Sequence, residues 1–100
     1  ILNIQIKKGL DKIKNKKNII IAYEPVWAIG SGIIPKSNEL FKIIEFIKKK
    51  NKVFKILYGG SVNSKNIRDL KSISIIDGFL IGGSSQDSKK FIDIIKKTYN

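Results

Sequence analysis

Three short apolar runs, each cut off by an acid or by paired glycines and each followed by a helix-like stretch, constrain this chain most. Ile19 to Tyr23 is apolar throughout and delivers Glu24 to its end. Val53 to Tyr58 stops at Gly59-Gly60-Ser61. Gly78-Phe79-Leu80-Ile81 stops at Gly82-Gly83-Ser84-Ser85. Strands apolar on both faces are covered on both faces, which means parallel strands flanked by helices. The intervening stretches carry the helical period. Ile6, Leu10 and Ile13 share a face, with Asn15-Lys16-Lys17-Asn18 ending that helix. Ser37 stands where a cap belongs, ahead of Leu40, Ile43, Ile44 and Ile47 at the i, i+3, i+4, i+7 spacing. A short helix capped by Asn63 or Ser64 carries Ile67 and Leu70, and Phe91, Ile92, Ile95 and Tyr99 form the buried face of a last helix. The order is one helix and then three strand–helix units. No repeat, linker or boundary divides it, so residues 1–100 read as a single α/β unit.

Composition excludes more than it assigns. With no cysteine there are no disulfides or thiolate metal sites, and with no histidine no Ser-His-Asp or Cys-His nucleophile can be built within the chain. No apolar run approaches the roughly eighteen residues of a membrane span. The first ten residues, broken by Asn3, Gln5, Lys7 and Lys8, do not read as an export leader, and an opening Ile1 in place of Met suggests part of a longer protein. The formal charge of +12 invites a nucleic-acid reading. Against it, nineteen of the twenty basic residues are lysine and Arg68 is the lone arginine, whereas base-edge and bidentate phosphate recognition favour arginine. Lysines spread over every polar helix face read as solvated surface that can draw a small anion inward.

The strand ends carry the chemistry. Glu24 is followed by the stiff Pro25 and a segment closing in Gly30-Ser31-Gly32, an arrangement suited to a general base beneath a closing lid. Alone it also fits a solvated strand end and a plain turn. Gly59-Gly60-Ser61 and Gly82-Gly83-Ser84-Ser85 each join a strand to a helix, where glycine lets backbone N–H groups face an anion. With Gly30 from the lid, these loops can surround a phosphate without a basic side chain. Neither has the spacing of a nucleotide P-loop, and no Gly-x-Gly-x-x-Gly occurs. Ligands bind at such strand ends in α/β architectures.

The lid run from Ala22 to Gly32, Tyr58-Gly59-Gly60-Ser61-Val62 and Asp77 through Ser85 together resemble the C-terminal part of the triosephosphate isomerase family, over nearly the whole chain. The resemblance implies the last three β-α units of a (β/α)8 barrel plus a preceding helix. It implies interconversion of dihydroxyacetone phosphate and D-glyceraldehyde 3-phosphate through an enediolate, in glycolysis and gluconeogenesis. Glu24 matches the catalytic base. Gly30, Ser61, Gly82 and Gly83 match the groups binding the substrate phosphate. Pro25, Val26 and Trp27 match the first lid hinge, Ala28, Ile29, Gly30, Ser31 and Gly32 its tip, and Tyr58 with Ser61 the latch. The resemblance further implies a cytoplasmic homodimer with no metal, no organic cofactor, and neither nucleic acid nor membrane as partner. Three positions depart from the pattern: Ser31 replaces a threonine, Ser84 an alanine, and Pro35, which has no N–H, an alanine whose N–H meets the latch tyrosine. The family also needs an Asn-Lys pair from the first strand and a histidine from the fourth, which this chain lacks. The expectation is half a site, inactive without the rest of the barrel. The other readings are a phosphate-binding half-barrel that does not catalyse or a gene remnant, a basic nucleic-acid binder, and another phosphate-binding barrel enzyme.

Overall fold

A computed structural model describes residues 2–13, 19–31, 33–51 and 55–99. It contains helix α1 (Leu2–Gly9), strand β1 (Ile20–Tyr23), helix α2 (Ser37–Asn51), strand β2 (Lys55–Tyr58), helix α3 (Ile67–Lys71), strand β3 (Gly78–Phe79) and helix α4 (Ser88–Tyr99). Short 3-10 turns cover Val26–Ala28 and Gly83–Gln86. The strands form one parallel sheet in the order β1-β2-β3. Tyr23 pairs with Tyr58, and Tyr58 with Phe79, so the three C-terminal ends lie level at one rim. Backbone bonds carry the alignment past the last paired residues, Gly59 N–H donating to Tyr23 O and Leu80 N–H to Tyr58 O, both at 2.9 Å.

The core lies between the sheet and its helices. Leu40, Ile44 and Ile47 of α2, Ile56 and Tyr58 of β2, and Ile67 and Leu70 of α3 are fully buried, joined by Ile6 and Ile94. The expected face of α2 is thus the inner one, with Ile43 half-buried beside it. Leu40 N–H bonds to Lys36 O at 2.9 Å, which places the cap of α2 at Lys36, one residue before Ser37. Ahead of α3, the Asn63 and Asn66 side chains each accept the other's backbone N–H, at 3.0 and 2.9 Å, so Asn63 caps the turn that leads into the helix, whose own N-cap position is Asn66. Asn66 also donates through Nδ2 to Ser61 O at 2.7 Å, fixing the loop that leaves β2.

Two expected faces need correction. Helix α1 ends at Gly9, and Lys12, with φ of 65°, turns the chain away; Leu10 still packs on the core, but Ile13 is exposed. The expected helix ending at 15–18, the expected strand residues Val53 and Phe54, and Gly32 of the lid lie outside the described residues. On α4 the fully buried residue is Ile94, while Ile92, Ile95 and Tyr99 are exposed. The helix docks on α3 along the Ile94 line. Ile95 and Tyr99 are left beside Phe79 and Ile81 in a groove along the free edge of β3. The stripe is wider than the surface available to cover it.

One side chain ties β2, β3 and α2 together. Asp77, just ahead of β3, accepts the Ile56 N–H on Oδ2 at 2.9 Å, and the same oxygen meets Lys48 Nζ of α2 at 2.9 Å. Burial raises the carboxyl pKa, but the Ile56 N–H, the Lys48 hydrogen bond and the charges of Lys48 and Lys55 outweigh it and hold the group below its ordinary 3.8. Replacing Asp77 by Ala is expected to cost about 0.5–1.5 kcal/mol, a hydrogen bond to a charged group weakened by solvent at a side chain one third exposed, read from urea unfolding. Because the folded pKa lies below the unfolded one, that contribution is complete above the unfolded value near 3.8 and is lost as pH falls through the folded value. Asp77→Ala should therefore destabilise the chain at neutral pH and lose its effect in acid.

Candidate functional site

At the level rim of the sheet, the segments following all three strands border one cavity of about 520 Å³. Glu24 stands at the end of β1, Gly59 to Asn63 enter from β2, and Leu80 to Ser84 from β3; Ile29 and Gly30 reach in from the lid. Sequence positions more than fifty residues apart converge because parallel strands in register deliver their ends to the same side.

Glu24 owes its position to an absent side chain. A Cβ built on Gly59 would lie 2.8 Å from Glu24 Cγ, 3.0 Å from its Oε1 and 3.1 Å from Leu80 Cβ. The Glu24 stem and carboxylate therefore lie directly over the Gly59 backbone, itself buried and bonded to Tyr23 O. Gly60 makes room in the same way for another group. A Cβ there would collide with the Tyr58 hydroxyl, stand 2.6 Å from its Cζ and 3.1 Å from Ala28 Cβ. The sequence reading treats both glycines as anion-facing backbone; in the structure they also clear space for Glu24 and Tyr58.

Gly82 and Gly83 are open, with nothing within 4 Å of where a Cβ would stand, and both line the cavity. Gly82 has φ of −91° and ψ of −104°, and its carbonyl receives the backbone N–H of Ser85 at 2.9 Å together with the Ser85 hydroxyl. Ser61 lines the opposite wall, its carbonyl held by Asn66. The four expected phosphate-binding residues, Gly30, Ser61, Gly82 and Gly83, thus share one cavity with Glu24. Lys90, on the first turn of α4, also lines it. Beside the glycine loops, the cavity wall thus includes one basic residue. Lys90 is seven residues past the glycine pair, on an unremarkable lysine-rich face. Only the packing of α4 brings it to the cavity.

The lid is anchored inside and apolar outside. Pro25, Ala28 and Pro35 are buried, whereas Val26 is 84% exposed and Trp27, Ile29 and Ile33 are more than half exposed. Ala28 O gathers the Ser31 backbone N–H at 3.2 Å and the Ser31 hydroxyl at 3.0 Å, and that hydroxyl oxygen accepts from Ile33 N–H at 3.1 Å. Gly30 takes a φ of 68° at the tip, a conformation that disfavours any residue with a Cβ. Pro25, Val26, Trp27, Ala28 and Ser31 shape the lid without lining the cavity. Tyr58 is fully buried below it and also stands off the cavity wall. Its hydroxyl makes no well-formed hydrogen bond among the described residues. Burial pushes its pKa above the ordinary 10.0; the nearby Ser61 backbone pulls it down, and the charge of Tyr23 raises it. Among the described residues no cluster of His, Cys, Asp and Glu can hold a metal, and no helix is long and apolar enough to cross a membrane.

This arrangement has close relatives. The family model described as triosephosphate isomerase matches residues 1–98. The triosephosphate isomerase of Thermodesulfovibrio yellowstonii is 39% identical over 104 residues, covering 96% of this chain and 42% of the relative. That of Mycoplasma mobile is 42% identical over 99 residues, covering 96% of this chain and 40% of the relative. A crystal structure of the enzyme from Bartonella henselae superposes with a TM-score of 0.80 at 32% identity, covering 100% of this chain and 42% of that one. The chain thus spans about two fifths of the length of these relatives. Its parallel strands and covering helices are part of the (β/α)8-barrel architecture expected from the sequence. The chain belongs to the triosephosphate isomerase family.

Proposed function

We propose that this chain supplies the C-terminal half-site of a triosephosphate isomerase, carrying the proton-transfer base and the loops that hold the substrate phosphate. The observation behind this reading is the single cavity in which the Glu24 carboxylate, seated on Gly59, faces Gly30, Ser61, Gly82 and Gly83. Glu24, as carboxylate, takes a proton from C1 of dihydroxyacetone phosphate. The electron pair moves into an enediolate, a proton passes from O1 to O2, and the proton on Glu24 returns at C2 to give D-glyceraldehyde 3-phosphate. The open glycine backbones and Ser61 hold the phosphate while the lid closes. Closure excludes water, desolvating the carboxylate and strengthening it as a base, and shields the enediolate from losing its phosphate. Pro35 offers no N–H to Tyr58, so the latch of this lid differs from the family pattern.

The histidine electrophile and the Asn-Lys pair belong to the part of the barrel outside these residues, which makes that part the first partner of this chain. A homodimer, a cytoplasmic location and a place in glycolysis and gluconeogenesis complete the proposal. The isolated chain, with no histidine, is expected to show no turnover above background.

The test joins this chain to the upstream three fifths of the Mycoplasma mobile relative and assays both trioses. The chimera is expected to isomerise them, and Glu24→Gln to lower kcat by about 10²–10⁴-fold, the range for a positioned general base. A folded but inactive chimera would refute the enzyme reading; if that chimera still bound phosphate, the chain would be a binding half-barrel. Gly59→Ala tests the seat of the carboxylate. It should lower kcat by about 10–10²-fold through displacement of Glu24. Phosphate affinity should fall less than kcat, since Gly82 and Gly83 lie on a different loop.

A further inference from the structure

The cavity has two ionised side chains on its wall among the described residues, Glu24 and Lys90, and they enter from different elements. Glu24 comes from the end of β1 and Lys90 from the first turn of α4, beyond the Gly82-Gly83 loop. The start of α4 is held firmly. Asp87 accepts the backbone N–H groups of Lys89 and Lys90 on Oδ1 at 3.0 and 3.3 Å, and its carbonyl accepts that of Phe91 at 2.9 Å. The Asp87 carboxylate is thus turned to the helix backbone, and it does not line the cavity. The lysines of the three ion pairs, Lys48, Lys49 and Lys97, answer to Asp77, Glu45 and Asp93; no ion pair among the described residues engages Lys90.

We propose that Lys90 is a substrate-orienting residue of this chain: its ammonium draws the phosphate dianion to the Gly82-Gly83 end of the cavity and away from Glu24. The inference rests on the reading of this cavity as a triose phosphate site. A phosphate carries its charge at one end of a small ligand, and the same cavity holds a carboxylate that repels that end. Neutral backbone donors can bind the anion. A cation on the wall also sets which way round it enters, because Lys90 and Glu24, opposite in charge, border the cavity from different elements. Oriented in this way, the carbon end of the ligand is left next to Glu24.

The test titrates inorganic phosphate into the folded chimera described above, taken as the parent chain, and follows the backbone amides of Gly30, Ser61, Gly82 and Gly83 by NMR. Lys90→Gln is expected to weaken binding about three- to tenfold, the scale for one partly screened charge on a dianion. Lys90→Arg should stay within about twofold of the parent chain, since it keeps the charge. Lys89→Gln removes an equal charge one residue away, from a side chain that does not line the cavity, and should also change affinity by less than about twofold. If Lys90→Gln disturbs α4, Lys90→Met, which keeps the aliphatic stem, gives the same readout. Unchanged affinity in Lys90→Gln would overturn the proposal, as would an equal loss in Lys89→Gln, which would mean a general field. Those outcomes leave the phosphate reading standing. Failure of phosphate to shift those amides in the parent chain would remove that reading, and the role of Lys90 with it.

Discussion

Site and sheet meet over one backbone atom that has no side chain to defend. Gly59 is buried, its N–H is committed to Tyr23 O, and the space above it is already filled by Glu24 and Leu80. Glu24 follows β1 and Leu80 follows β3, so the bare glycine just past β2 lets both neighbours close in at the rim. Gly60 repeats the device one residue later, for the Tyr58 hydroxyl and Ala28 of the lid. A methyl group at either position would have to be accommodated by moving a functional segment. Glycine is used here for its lack of volume. Its freedom of φ matters at Gly30, where the lid turns through a positive φ.

The sequence was readable wherever a local pattern carried the information. An apolar run ending in an acid or a glycine pair marks a strand end, and the spacing of Leu40, Ile43, Ile44 and Ile47 marks the inner face of α2. Both depend on residues close together in the chain. Asp77, Lys90 and the buried line of α4 were not readable in this way. Asp77 is one acid ahead of a strand, and its importance comes from Lys48 and Ile56, more than twenty residues back. Lys90 is one lysine among nineteen, distinguished by how α4 packs. The apolar stripe of α4 is wide enough to suggest several buried faces, and α3 selects Ile94. What escaped the sequence was long-range, and each case is a single side chain whose partner lies on another element.

The lid combines two physical demands. Its anchors must hold fast, and Pro25, Ala28 and Pro35 are buried, with proline restricting φ at both hinges. Between them, the exposed Val26, Trp27, Ile29 and Ile33 leave apolar surface in water. The Tyr58 hydroxyl, buried without a well-formed hydrogen bond, lies at the junction of lid and floor. An unsatisfied buried hydroxyl costs about 1–3 kcal/mol, which any lid position that supplied an acceptor or donor would recover. Pro35 cannot be that donor.

The surface supports the view of this chain as a sector of a larger solid. A folded monomer of 100 residues exposes roughly 5,700 Å². This chain exposes 7059 Å², a surplus of roughly 1,400 Å², comparable to a whole standard protein–protein interface counted over both partners. Apolar surface is found where a barrel would continue. On one flank, Ile20 and Ala22 are exposed at the free edge of β1, beside a groove bordered by Ile6, Leu10 and Ile47. On the other, Ile95 and Tyr99 stand beside Phe79 and Ile81 along the free edge of β3. A parallel sheet is stable when both faces are covered and its edges are paired. The strands here satisfy the first condition in part and the second not at all among the described residues. Neighbouring strands at those two edges would cover the apolar surface that the described residues leave in water.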